Sequence, residues 1–219
     1  MKKNIAMRVA AFLFILTMIT TCAFATTFAK YTTKGEAEDS ARVAKWGVTV
    51  VVKNDGGSFQ TEYDVNETEK TVASAVVGGS RDKLVAPGTS GHLVSISVAG
   101  TPEVSTKVTI DVTIDFEKWY IDGGSTFYCP IVITYKVNGG TEQTISGLSH
   151  TSAASFENAL DAAFDSVTNY NPNVDLARSL EISWAWAFTG NDVNDTKLGD
   201  LATAPTISFT ADCTVEQID

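Results

Sequence analysis

Strict period-two alternation is the feature that most limits how this chain can fold. In residues 107–116, Val108, Ile110, Val112, Ile114 and Phe116 alternate with Lys107, Thr109, Asp111, Thr113 and Asp115. Successive side chains of a strand point to opposite faces, so this stretch predicts a strand with one dry face and one wet face. The same reading gives strands at Val94, Ile96 and Val98, and at Phe127, Cys129, Ile131, Ile133, Tyr135 and Val137. It gives two more at Leu180, Ile182, Trp184, Trp186 and Phe188, and at Ile207, Phe209, Ala211, Cys213 and Val215. A further strand begins near Val43 and continues through Val48, Val50 and Val52.

Turn residues punctuate these runs at Asp55-Gly56-Gly57, Ala86-Pro87-Gly88, Asp122-Gly123-Gly124 and Asn138-Gly139-Gly140. Half-buried strands joined by such turns predict antiparallel sheets packed face to face. The expected class is all-β: a two-sheet antiparallel β-sandwich, jelly-roll-like, over residues 41–219. One stretch departs from period two. Phe156, Leu160, Ala163, Phe164 and Val167 recur at three- and four-residue spacing behind Ser155. That predicts one short helix insertion with Ser155 as its N-cap.

The first 29 residues have a different character. Lys2, Lys3 and Arg8 form a basic head, and an uncharged run from Val9 to Ala29 centres on Phe12, Leu13, Phe14, Ile15 and Leu16. This is the pattern of an export signal. The run also has the ~20 residues that an uncleaved bilayer anchor needs. Small residues at Ala23, Ala25, Thr27 and Ala29 offer peptidase sites; the preferred cut lies between Ala29 and Lys30, with Ala25 second. Thr21 precedes Cys22 where a lipoprotein signal wants Ala or Gly, which argues against lipid attachment there. Removing the three basic residues of the head from the 16 Lys and Arg leaves 13 against 26 Asp and Glu, a net charge of −13. Such a balance argues against nucleic acid as a partner. The remaining chain is large enough for one core and does not require two domains.

No pattern of catalysis emerges. The two histidines, His92 and His150, belong to no spaced ligand pair, and neither G-x-S-x-G nor a phosphate-cradling glycine loop occurs. Both histidines read as surface or turn residues. Asn191, Asp192, Asn194, Asp195 and Asp200 could offer oxygen ligands to calcium, although the EF-hand spacing is missing; the alternative is a solvated loop between strands. Trp184 and Trp186 share one strand face, where they form either an aromatic platform for sugar or, with Ile182 and Phe188, part of the core. Cys129 and Cys213 lie on apolar strand faces, so a single bridge and two buried free thiols both stay open.

Four segments, taken in order, resemble a known group. Residues 27–33 (Thr27, Phe28, Ala29, Lys30, Tyr31, Thr32, Thr33) with Ala41-Arg42-Val43-Ala44-Lys45-Trp46-Gly47-Val48 are followed by Val85-Ala86-Pro87-Gly88-Thr89-Ser90-Gly91. Then come Trp184-Ala185-Trp186 and Asn194-Asp195-Thr196-Lys197-Leu198-Gly199. Together they resemble the TasA/camelysin family of exported Gram-positive proteins, whose signals are cut by signal peptidase W. The resemblance implies a jelly-roll subunit of extracellular biofilm-matrix fibres, in which the N-terminal segment of one subunit completes a sheet of the next. It implies no cofactor, and as partners other copies of the chain, with an accessory matrix protein as a further candidate. A donated strand satisfies the open N–H and C=O row of a sheet edge. Residues 30–40 are polar and contain Gly35, a composition suited to staying mobile until docked. Val43, Trp46, Val48 and Val50 are the candidate assembly strand; alternatively, residues 41–52 form the first strand of their own domain. Camelysin's metallopeptidase label supplies a rival function, from which this chain departs by lacking a zinc motif. A non-catalytic cell-surface binding module, using Asp192 or the tryptophan pair, is a third.

Overall fold

The computed structural model describes residues 4–27, 41–54, 58–63, 76–77 and 83–219. The signal cut at Ala29 and Lys30 and the polar segment 30–40 lie outside the described residues. The chain divides into two compact units, Met1–Arg42 and Val43–Asp219. The first contains α1 (Ile5–Thr27), whose exposed residues Phe12, Leu13, Phe14, Ile15 and Leu16 cover every side of the helix. Among the described side chains from Val9 to Thr20 it has no charged face, as the uncharged run from Val9 demands.

The second unit consists mostly of antiparallel strands. In chain order these are β1 (Val48–Lys53), β2 (Glu62–Tyr63), β3 (Val76–Val77), β4 (Ser90–Gly100), β5 (Thr106–Glu117), β6 (Tyr120–Ile121) and β7 (Thr126–Phe127). They continue with β8 (Ile131–Val137), β9 (Gln143–Ser146), helix α2 (Ala153–Phe164), β10 (Ser166–Tyr170), β11 (Arg178–Trp186), helix α3 (Asp192–Gly199) and β12 (Thr206–Gln217). One sheet has the order β1-β4-β11-β8-β9 and another β10-β5-β12; β2 pairs with β3, and β6 with β7. The turn between β8 and β9 shows why the sequence folds back there. Asn138 and Gly139 both take positive φ, +52° and +65°, and Gly140 N–H donates to the Val137 carbonyl at 2.9 Å. That is the backbone Asn-Gly supplies most readily in a tight hairpin.

The alternating residues of β4, β5, β8 and β11 meet in one buried cluster. Leu93, Val94, Ile96, Ile110, Val112, Ile114, Phe116, Ile131, Ile133, Leu180, Ile182, Trp184 and Trp186 all belong to it. At one end Val98, Val108 and Leu176 form a smaller cluster, against which Val48, Tyr170, Cys213 and Val215 pack.

Helix α2 closes one flank of this core. Its Phe156, Leu160 and Phe164 are buried, with Phe156 against Phe116 of β5 at 4.7 Å between ring centroids and Phe164 against Tyr135 of β8 at 5.2 Å. The helix also covers backbone. β10 pairs with β5 only between Thr106 and Ile110. Beyond that, Val112 N–H donates to Asp165 Oδ1 at 3.0 Å and Phe116 N–H to Glu157 Oε1 at 2.9 Å. Carboxylates thus stand where a neighbouring strand's carbonyls would be.

Several details differ from the sequence expectation. Helix α2 begins earlier, because Ser152 is the N-cap and Ser155 its reciprocal partner in a capping box. Val167 is not on the helix but exposed on β10. The alternation from Phe127 to Val137 is two strands, interrupted at residues 128–130, where Pro130 has no N–H to give to a ladder. β11 ends at Trp186, and Phe188 lies beyond it, exposed against Gly88. The expectation of one helix insertion is corrected as well: the stretch taken as an inter-strand loop is the second helix of this unit, α3. Acidic Asp192 and Asp195 in its first turn and Lys197 in its last suit the helix dipole.

Candidate functional site

Among the described residues, no helix covers the flank opposite α2 in this way. β1 ends one sheet and β12 ends the other, and the small cluster brings them together through Val48, Cys213 and Val215. Register shows what faces the interior. Val50 stands opposite Val98 and Val52 opposite Ile96, so these valines share the face of two residues that are only 1% exposed. Yet Val50 is 38% exposed and Val52 45%. Across from them, Ile207, Phe209, Ala211, Cys213 and Val215 of β12 carry the apolar alternation but are only half-buried. The result is an apolar seam bounded by two sheet edges.

The chain enters β1 through a tight corner. Gly47 has φ +56° and Gly100, opposite Val48, has φ +133°. A Cβ on Gly100 would stand 2.1 Å from the Gly47 carbonyl oxygen, so only glycine permits this approach. Just upstream, Lys45 N–H donates to Glu103 Oε2 at 2.8 Å, and Glu103 N–H donates to the Lys45 carbonyl at 2.9 Å. Of the four candidate assembly residues, Val48 and Val50 therefore lie in a strand of their own domain. Val43 and Trp46 precede that strand and are 92% and 40% exposed. The strand expected from near Val43 starts at Val48, because the positive φ of Gly47 breaks the extended run.

The other residues singled out by sequence lie elsewhere. His92 sits within β4, its Nε2 2.9 Å from Ser95 Oγ and its Nδ1 3.3 Å from Ser183 Oγ. The His150 ring lies over Phe156 at 5.2 Å. His92 lies near the start of β4 and His150 in the loop before α2, as their reading as surface or turn residues expects, and both are partly buried. Trp184 and Trp186 are core, and no sugar platform forms from them. Cys129 and Cys213 are free thiols, and burial raises the pKa of each. Asp195 accepts a short hydrogen bond from the Tyr128 hydroxyl, whose pKa burial and that carboxylate push far up. Lys197 binds Asp122 at 2.8 Å and lowers its pKa. These two long-range pairs hold α3 in place. Among the described residues, no group of three or more His, Cys, Asp or Glu side chains is arranged to hold a metal ion.

Sequence reasoning missed both the second wall of the seam, β12, and Glu103. It also missed the acidic group beside α2, where burial and the carboxylates of Asp165, Asp111 and Asp115 hold Asp161 above its ordinary pKa. A carboxyl raised in the folded state binds its proton more tightly there than in the unfolded chain. The resulting penalty is present at neutral pH and relieved as pH falls through the folded value. Asp161→Asn should therefore stabilise the protein at neutral pH, by no more than about 0.5 kcal/mol because the group is largely solvated. Urea unfolding at neutral pH and again in acid should show the gain disappear in acid.

No family model, curated protein or solved structure matches this chain.

Proposed function

We propose that the protein is a secreted structural subunit of extracellular matrix fibres, of the TasA/camelysin kind. In this reading the two sheets form a jelly-roll-like β-sandwich, and the N-terminal segment of one subunit completes the open flank of the next. The observation that carries it is the seam between β1 and β12, unfilled among the described residues, with Val50 and Val52 on the interior face yet exposed. A strand laid there would bury the remaining apolar surface of those two valines, worth about 2–3 kcal/mol at ~25 cal/mol per Å². It would also satisfy edge N–H and C=O groups. The covered flank at α2 supports the same conclusion, since it leaves the opposite side for addition. The basic head and the apolar run of α1 support the export this reading requires. The reading requires no cofactor; its partners are other copies of the chain, an accessory matrix protein, and the peptidase that removes the signal.

Deleting residues 30–40 tests it. The truncated protein should keep its β-sheet circular dichroism and remain soluble, while electron microscopy shows fibres from the full mature chain alone. Fibres at the normal rate would overturn the N-terminal donor.

A further inference from the structure

We propose that Asn138 is a site of spontaneous covalent modification, deamidation through a cyclic imide, held in check by its bonds to Ser179. Of the chain's asparagines only Asn138 precedes a glycine. Glycine has no Cβ to crowd the backbone nitrogen that must attack, and a Cβ built on Gly139 would meet nothing within 4 Å among the described residues. Residues 137–140 are exposed, so water and hydroxide reach the turn. The Gly139 amide nitrogen gives up its proton to hydroxide and attacks Cγ of the Asn138 carboxamide. A new C–N bond forms there, the Cγ–Nδ2 bond breaks, and ammonia leaves with a proton from water. Water then opens the imide at either carbonyl, which leaves aspartate or iso-aspartate at position 138. Only water is consumed and only ammonia released.

The fold opposes the first step. Asn138 N–H donates to the Ser179 carbonyl at 2.8 Å, and Ser179 N–H donates back to Asn138 Oδ1 at 3.0 Å. The carboxamide oxygen thus takes the place of a backbone carbonyl, one step beyond the Leu180–Val137 pair that ends the β8–β11 ladder. Held across to β11, the carboxamide cannot swing back over the Gly139 nitrogen until the Ser179 bond opens. That bond lies at an exposed ladder end, where local opening is least costly. The same turn leads into β9, the last strand of its sheet. β9 is tied to β8 from Val132–Ser146 to Tyr135–Gln143, with the Tyr135 hydroxyl donating to Gln143 Oε1 at 2.8 Å. Iso-aspartate routes the backbone through the former side chain and adds a methylene to it, where positive φ at Asn138 and Gly139 sets the reversal. Modification therefore loosens β9 and opens the edge of β8 behind it, whether or not copies of the chain assemble.

The test is timed incubation of the full mature chain at mildly alkaline pH, native and in guanidinium chloride. Peptide mapping by mass spectrometry reads the amide-to-acid mass gain, and iso-aspartyl methyltransferase labelling reads the rearranged product. In denaturant, position 138 should react before every other asparagine. It should react at least about tenfold more slowly in the native protein, the effect of an opening equilibrium. Gly139→Ala, compared in denaturant where turn strain is absent, should slow the reaction severalfold, and Asn138→Gln should abolish the label on that peptide. Aged native protein should exchange its β9 amides faster than fresh protein while β5 stays protected. An intact amide at position 138 after other asparagines have reacted in denaturant overturns the site. Equal rates in native and denatured protein overturn the Ser179 restraint, and unchanged β9 exchange in fully modified protein overturns the loosening.

Discussion

Replacing Trp184 with alanine should cost about 3–5 kcal/mol, the range for removing a buried aromatic from a packed core. Trp184 is 1% exposed, and three losses would coincide. Its ring lies 5.7 Å from Phe59 and rests on Gly91, where even a methyl group would come within 2.7 Å of Nε1, so truncation leaves a large void. Its indole N–H donates to the Ser58 carbonyl at 2.9 Å inside the core, and that acceptor would be left without this donor. The stretch from Ser58 to the Gln60–Leu84 bridge would lose its inner anchor. Against the 5–15 kcal/mol typical of a domain, a loss of this size removes a large share of stability. Chemical denaturation checks it: the midpoint should fall sharply with the slope unchanged. Trp184→Phe should fall between, keeping most of the ring while losing the hydrogen bond. An alanine variant within 1 kcal/mol of wild type would show that the core collapses around the site.

Gly100→Ala should be comparably severe for a different reason. The methyl group would meet the Gly47 carbonyl at 2.1 Å, against backbone that cannot rotate away, at φ +133°. Strain at such a position costs about 1–3 kcal/mol by itself, and the clash adds to it. The structure should respond by unpairing β1 from β4, losing more than about 3 kcal/mol in total. Hydrogen exchange would then show β1 amides exposed while β5 and β11 remain protected. Gly199→Ala is the matched control, since nothing lies within 4 Å of the added carbon, and its stability should remain within about 0.5 kcal/mol. If β1 protection survives in Gly100→Ala, the close approach is not what seats that strand.

Where one face of a strand is wholly buried, alternation made the strand legible. β5 shows this most clearly: Val108, Ile110, Val112, Ile114 and Phe116 are all buried and the residues between them are not. Alternation says which face is apolar, but not whether anything covers it. Hence β12 looked like any core strand, although its apolar face is only half-buried at the seam. Period also fails where tertiary pairs do the holding. α3 has no apolar stripe and buries only Leu198 of its eight residues. It is held through Tyr128–Asp195 and Lys197–Asp122, contacts spanning 67 and 75 residues that no local pattern reveals. The Glu103–Lys45 pair is invisible for the same reason, lying 58 residues apart. The Asn138-Gly139 turn was readable because its requirement, positive φ at two successive positions, is local.

The carboxylates of Glu157 and Asp165 have a bearing on aggregation. β5 contains the chain's most regular β-prone run, an uninterrupted Val/Ile alternation without proline or glycine, the composition that stacks readily into cross-β fibrils when its backbone is accessible. Past the short β10, the amides of Val112 and Phe116 are withheld from any incoming chain by those two side chains. The protection is therefore conditional on α2 remaining docked through Phe156, Leu160 and Phe164. A lesion that loosens this helix does more than weaken the core, because it turns the interior strand best suited to indiscriminate self-association into an open template.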